Sequence, residues 1–339
     1  MFAYAHARGP RAVETVAAQL GRPGRGLGFV YFTDTMVLES ESILGTLRER
    51  TGVRDWVGSV GVGVIATNAE YLEEPAVAAM VADLDAYAVF SGRSPMKPGQ
   101  SFAVVHADPQ APDLPGLVTD LSQRVASGYL VGGISSSRSR TVQIANEVLR
   151  GGVSGATFGP EVAIATRHTQ ACTPYPGRFR ITECVDNIIV SLDGRPALEV
   201  LREGVGAKPV HVLVGLPVPG SDTGDYTARN LLGVDPEDGL IAIGEEVEAG
   251  MEILFLRRDA AAARADLERI LQELQPHRAR GALYYSCVAR GENLFGARGA
   301  ELGVVSRILG DVPLVGFFCN GEISHDRLYG YTGVLTLFS

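Results

Sequence analysis

Three stretches of the chain repeat one order of apolar and polar positions: a short apolar run, a helical stripe, then a second apolar run carrying Val-Gly. The first leads from Gly28-Phe29-Val30-Tyr31-Phe32 to Trp56-Val57-Gly58, and the second from Phe102-Ala103-Val104-Val105 to Leu130-Val131-Gly132-Gly133. The third joins Leu283-Tyr284-Tyr285-Ser286-Cys287 to Leu314-Val315-Gly316-Phe317-Phe318. Val30 to Val57 and Val104 to Val131 each span 27 positions, and Tyr285 to Val315 spans 30. Short unbroken apolar runs predict buried strands. Between them Ile43, Leu44 and Leu47, then Leu114, Leu117, Val118, Leu121 and Val125, then Leu302, Val305, Ile308 and Leu309 fall at helical spacing and predict one core-facing stripe each. Gly52, Gly128 and Gly310 follow these stripes as helix stops.

After each Val-Gly run a further apolar segment, at 76–84, 161–166 and 331–338, is expected to return as a strand beside the Val-Gly strand. The first of these also fits a helix through Val77, Met80, Val81 and Leu84. An opening helix is expected over 11–20, stopped by Gly21-Arg22-Pro23-Gly24. Between the second and third modules, 179–185 and 187–192 read as pairing strands broken at Asp186, followed by a turn at Asp193-Gly194-Arg195-Pro196 and a short helix at 197–201. Short strands at 211–218, 240–243 and 251–256 precede a helix over 259–274. The fold class expected is α/β, in the sense of a mixed α+β protein: two lobes built from repeated β-α-β-β modules with additional strands. A turn-rich segment at 217–224 places the break there, giving a lead-in at 1–25, a first domain at 26–220 holding two modules, and a second at 221–339 holding one.

Composition narrows the function classes. With 46% hydrophobic and 20% charged residues, the chain can bury a large core. Its 39 acidic against 30 basic side chains give a net charge of -9, and no basic tract interrupts that balance, which argues against nucleic acid as a partner. The N-terminus lacks the pattern of an export signal, and no apolar run reaches the length of a membrane span, so no membrane insertion is expected. Four cysteines without CxxC spacing suggest neither a disulfide framework nor a thiolate zinc site, and a reducing cytoplasm fits them.

Five blocks carry a family likeness. They are Leu130-Val131-Gly132-Gly133-Ile134-Ser135-Ser136; the segment from Asp186-Asn187-Ile188 through Asp193-Gly194-Arg195-Pro196 to Glu199; Ala228-Arg229-Asn230-Leu231-Leu232-Gly233-Val234-Asp235; Ser286-Cys287-Val288-Ala289-Arg290-Gly291; and Gly316-Phe317-Phe318-Cys319-Asn320-Gly321-Glu322-Ile323. Taken in this order, they resemble the FIST family, in which a FIST N-terminal domain precedes a FIST C-terminal domain. The resemblance implies a cytosolic sensory module that recognises a small molecule, with amino acids among the ligands, and that signals through a separate partner such as a histidine kinase. It implies no catalytic reaction. Some relatives bind haem and sense nitric oxide, which keeps a haem sensor as an alternative.

The chemistry-bearing residues follow the strand ends. Cys287 with Arg290, and Cys319 with Asn320 and Glu322, lie just past the two parallel-strand candidates of the third module, and ligands bind at the carboxyl ends of such strands. Arg290 suits a carboxylate clamp and Glu322 an amine acceptor, or the two pair with each other or with loop backbone. Gly132, Gly133, Ser135 and Ser136 form an equivalent edge in the second module, readable as an anion-friendly turn or as a solvated one. Cys287 near Arg290 admits an enzyme reading with a thiol nucleophile, while a packed small hydrophobe is the better reading of both cysteines. His106 and His325 stand at expected pocket edges as candidates for a haem ligand or as structural histidines. The six histidines show no metal-binding spacing, and no nucleophile elbow, phosphate loop or calcium loop occurs, so no catalytic or metal residue is assigned.

Overall fold

The computed structural model describes residues 2–92, 95–206, 211–221 and 224–339. They divide into two compact units, Met1–Gln170 with Arg264–Ser339, and Ala171–Ala263. Both combine strands and helices, so the protein has a mixed α+β fold.

All three modules lie in the first unit, which corrects the expected placing of the third in a lobe of its own. Each module pairs its two strands in parallel across a helical crossover: Leu27–Thr33 with Asp55–Gly61, Phe102–Ala107 with Tyr129–Ile134, and Gly281–Cys287 with Leu314–Cys319. A return strand then pairs antiparallel with the opening strand, not with the Val-Gly strand as expected: Ala76–Ala82, Val153–Phe158 and Gly333–Phe338. The first of these settles the ambiguity at 76–84 as a strand buried on both faces. The segment expected at 161–166 belongs elsewhere, since Ile164–Thr169 pairs with Gly333–Phe338 in the third module's sheet.

The far side of each Val-Gly strand explains why the return strand cannot sit there. It is occupied by a hairpin from another module. Gly63–Ala66 of the first module pairs with Leu314–Cys319 of the third. Gln143–Ala145 of the second pairs with Asp55–Gly61 of the first, and Glu322–His325 of the third pairs with Tyr129–Ile134 of the second. The exchange is cyclic, and it yields three six-stranded sheets of the same plan. Each module's sheet is completed by one other module, around a closed cycle, so none of the three can leave without opening a sheet.

The recurring Val-Gly has one cause in all three places. A Cβ at Gly58, Gly132 or Gly316 would lie 1.7, 1.8 or 1.7 Å from the carbonyl oxygen of Val30, Val105 or Tyr284 on the opening strand. Only a residue without a side chain allows that backbone approach. One residue past those carbonyls, Tyr31, His106 and Tyr285 occupy matching register positions and meet in the buried core with Phe317.

The second unit is a ring of antiparallel strands. Glu252–Arg258, Phe179–Val185, Ile188–Leu192, Leu240–Ile243, Tyr226–Asp235 and Val212–Pro217 follow one another, and the last pairs back to the first. Ile181, Ile189, Ile241, Val214 and Phe255 form its core with Leu198 and Leu201 of the helix Ala197–Val205. The break expected at 217–224 falls inside this ring, between strands that pair with each other; residues 222 and 223 lie outside the described residues. Among the described residues no helix is long and apolar enough to cross a membrane.

Candidate functional site

The third module's strand ends hold the charged and thiol groups expected there, but as interior. Arg290 is 1% exposed and donates through Nε to Glu301 Oε1 (2.7 Å), with Nη2 also 2.7 Å from that oxygen. Glu301 accepts from the Tyr284 hydroxyl (2.6 Å), the Ser286 hydroxyl and the Gly291 amide (both 3.1 Å). The carboxylate clamp expected of Arg290 is therefore already closed on a carboxylate of its own chain. Glu322 does not pair with Arg290 by hydrogen bond; it accepts from the amide (3.1 Å) and hydroxyl (2.6 Å) of Thr332. Burial pushes its pKa up to about 8, against the opposing pull of Thr332 and Arg290.

Cys287 and Cys319 face each other in register. Burial, with the Glu322 carboxyl beside it, pushes the Cys287 thiol up to about 12, the reverse of what a thiolate nucleophile requires. Cys319 is raised likewise, by burial first. Asn320 is exposed, and its amide donates to Ile134 O (3.0 Å).

The second module's edge is a joint rather than an anion cradle. A Cβ at Gly133 would lie 2.2 Å from Cys319 Sγ, and Gly132 lies under Val105 O. Ser135 Oγ is 2.7 Å from Ser59 Oγ, while Ser136 Oγ accepts from the Val62 amide (2.9 Å) and donates to Phe318 O. The three Val-Gly strand ends do converge, and the polar groups expected to bind a ligand there are bonded instead to other residues of the same chain. The two histidines are far apart in character. His106 is 0% exposed, its Nε2 lies 3.1 Å from Tyr31 Oη, and burial holds its pKa down at about 3. Enclosure on all sides leaves a haem iron no approach to it. His325 is exposed, packs on Tyr129 and has Nδ1 2.8 Å from Asp326 Oδ1.

An open cleft of about 550 Å³ lies elsewhere in the first unit, between the start of the helix Ser40–Thr51 and the hairpin of Gln143–Ala145 with Val148–Leu149. Val37, Leu38, Val148 and Val153 supply apolar lining, and Glu41, Arg140 and Arg150 supply charge. Neither arginine has an ion-pair or hydrogen-bond partner among the described residues. One carboxylate fastens the residue next to each of them. Asp108, 3% exposed at the end of the strand Phe102–Ala107, accepts at Oδ2 from the Thr141 hydroxyl (2.8 Å) and from the Gly151 amide (3.1 Å), the residues next to Arg140 and Arg150. A second pin sits beside it: Arg138 donates to Asp34 through its amide (2.9 Å), Nε (2.9 Å) and Nη2 (2.8 Å). The Arg138 bonds and its charge hold the Asp34 carboxyl below its ordinary pKa despite burial.

Sequence reasoning missed this cleft because Asp108 is separated from Thr141 and Gly151 by 33 and 43 positions. The one available signal was Arg138, Arg140 and Arg150 flanking an apolar hairpin in an acidic chain.

Residues 26–195 match the model of the FIST N domain, and residues 197–325 match that of the FIST C domain. The chain belongs to the FIST family. FIST domains are associated with sensory and signal-transduction proteins and with the binding of small ligands. The FIST C match runs across the boundary between the compact units, from the ring into the third module. An uncharacterized protein of Mycobacterium tuberculosis is 32% identical over 321 residues, covering 83% of this FIST chain and 83% of its own length. An uncharacterized protein of Mycobacterium bovis is 34% identical over 246 residues, covering 67% of this chain and 61% of its own.

Proposed function

We propose that this FIST protein senses a small amino-acid-like carboxylate in the Arg140–Arg150 cleft and passes the signal to a separate protein. The observation that carries the reading is the double hold of Asp108 on Thr141 and Gly151, which presents two unpartnered guanidinium groups at one opening. Guanidinium groups recognise carboxylates through paired hydrogen bonds. Glu41 on the same cleft gives an amine a counter-charge, and the apolar lining accommodates a short side chain. The cleft also sits past the carboxyl end of a parallel strand, where such folds place ligands.

The test is a thermal-shift screen of amino acids and small dicarboxylates against the full chain, because a ligand that binds the folded state raises Tm with concentration. A hit is expected to lose its shift in Arg140→Ala/Arg150→Ala, whose Tm without ligand stays at the wild-type value because both side chains are exposed. A hit whose shift survives in that double variant removes the cleft from consideration.

A further inference from the structure

Among the described residues five large hydrophobic side chains are exposed, and three of them belong to one face of the second unit's ring: Val185 (62%), Ile188 (37%) and Leu232 (61%). Single exposed apolar residues are ordinary, whereas a contiguous patch marks a contact surface. Register makes these contiguous. Val185 pairs with Ile188, Ile188 with Ala242, and Ala242 with Gly233, beside which stands Leu232. The neighbouring pair Ile189 and Ile241 points into the core at 0% exposure, so Ile188 and Ala242 face outward. A register shift between Leu231 and Gly233 inserts Leu232 as the extra residue of a bulge.

The surroundings of the patch are acidic. Glu183 and Asp186 bracket Val185, and Asp235, Glu237 and Asp238 follow Val234. Residues 171–263 carry 15 acidic against 8 basic side chains, which accounts for most of the chain's net charge of -9. Two of those basic groups, Arg229 and Arg195, are ion-paired, with Glu245 and with Glu199 and Glu203. An apolar centre with an acidic rim selects its occupant by charge. A second copy would set one acidic rim against another, and an anionic membrane would be repelled in the same way.

We infer that this face of the ring docks a partner protein through an amphipathic segment whose apolar stripe is flanked by lysines and arginines. The apolar row takes the stripe, and the carboxylates on either side steer and orient the basic flanks.

The test uses an 18-residue leucine-lysine amphipathic helix as probe, with a leucine-glutamate helix of the same apolar pattern and a scrambled leucine-lysine peptide as controls. Binding to the full chain is read by fluorescence anisotropy at two salt concentrations. The patterned leucine-lysine peptide is expected to bind, more weakly at high salt, and the two controls are not. Val185→Ser/Leu232→Ser and, separately, Gly233→Glu are each expected to weaken binding at least about tenfold. Both variants should fold, because the two apolar side chains are over 60% exposed and a Cβ at Gly233 meets no atom within 4 Å. Unchanged affinity in either variant, equal binding of the scrambled or leucine-glutamate peptide, or a wild-type dimer that Leu232→Ser dissociates would each overturn the assignment.

Discussion

Arg290 and Glu301 form an ion pair in which the two side chains are 0% and 2% exposed, with Tyr284, Ser286 and the Gly291 amide completing the shell around the carboxylate. Burial by itself lowers the guanidinium pKa, and the field of Glu301 outweighs it, so Arg290 is held charged. Glu301→Gln keeps an acceptor for Tyr284 and Ser286 but leaves that charge alone in the interior. The variant is expected to lose about 3–5 kcal/mol in urea unfolding. Adding Arg290→Met should recover part of the loss. If the two single losses simply add, the pair is not what holds this strand end.

Glu322 makes a pH prediction with a definite sign. Its pKa in the folded protein, about 8, lies above the ordinary 4.5. Stability from this group is therefore fully present below about pH 4.5 and is lost as the pH rises through 8, at about 1.4 kcal/mol per unit. Glu322→Gln imitates the protonated form. It should match the wild type near pH 4 and exceed it near pH 9, and a wild-type-minus-variant difference that stays flat over that range would contradict the raised pKa.

His106 carries the opposite sign. Burial takes it from the ordinary 6.5 down to about 3, so its contribution is present above about pH 6.5 and is lost as the pH falls toward 3. Ring-nitrogen NMR shifts of this histidine are expected to stay constant from pH 7 to about pH 4. A titration midpoint near 6.5 would show that the aromatic cluster of Tyr31, Tyr285 and Phe317 opens to water.

Two glycine-to-alanine changes should differ in sign. Gly316→Ala drives a Cβ to 1.7 Å from Tyr284 O and is expected to lose more than about 4 kcal/mol or to abolish folding. Gly45→Ala, within the helix Ser40–Thr51, meets no atom within 4 Å and should gain about 0.5–1 kcal/mol through its better helix propensity. Equal effects of the two in chemical denaturation would mean that the strand approach at Gly316 is not what selects glycine.

Much of the secondary structure was legible before any coordinates. The strand at 240–243, the break at Asp186 and the left-handed cap at Gly52 all follow from neighbours within a few residues, and the structure places each there. The return strands were legible as strands but not as to their partners. Nothing near Ala76 announces that Gly63–Ala66, a few residues earlier, has already left for the third module's sheet.

The chemistry divides on the same line. The sequence by itself determined the three modules, the glycine at each close strand approach, the family and the acidic balance, because each depends on local period or on composition. Only the tertiary structure decided which charges are spent. Arg290 met Glu301 across ten intervening residues, Ser136 met Phe318 across 182 positions, and Asp108 gathered Thr141 and Gly151 from two further segments. A polar group's role rests on whether its partner and its solvent survive folding. The cyclic exchange of hairpins settled both by filling the strand ends, and left the cleft beside Arg140 and Arg150 open.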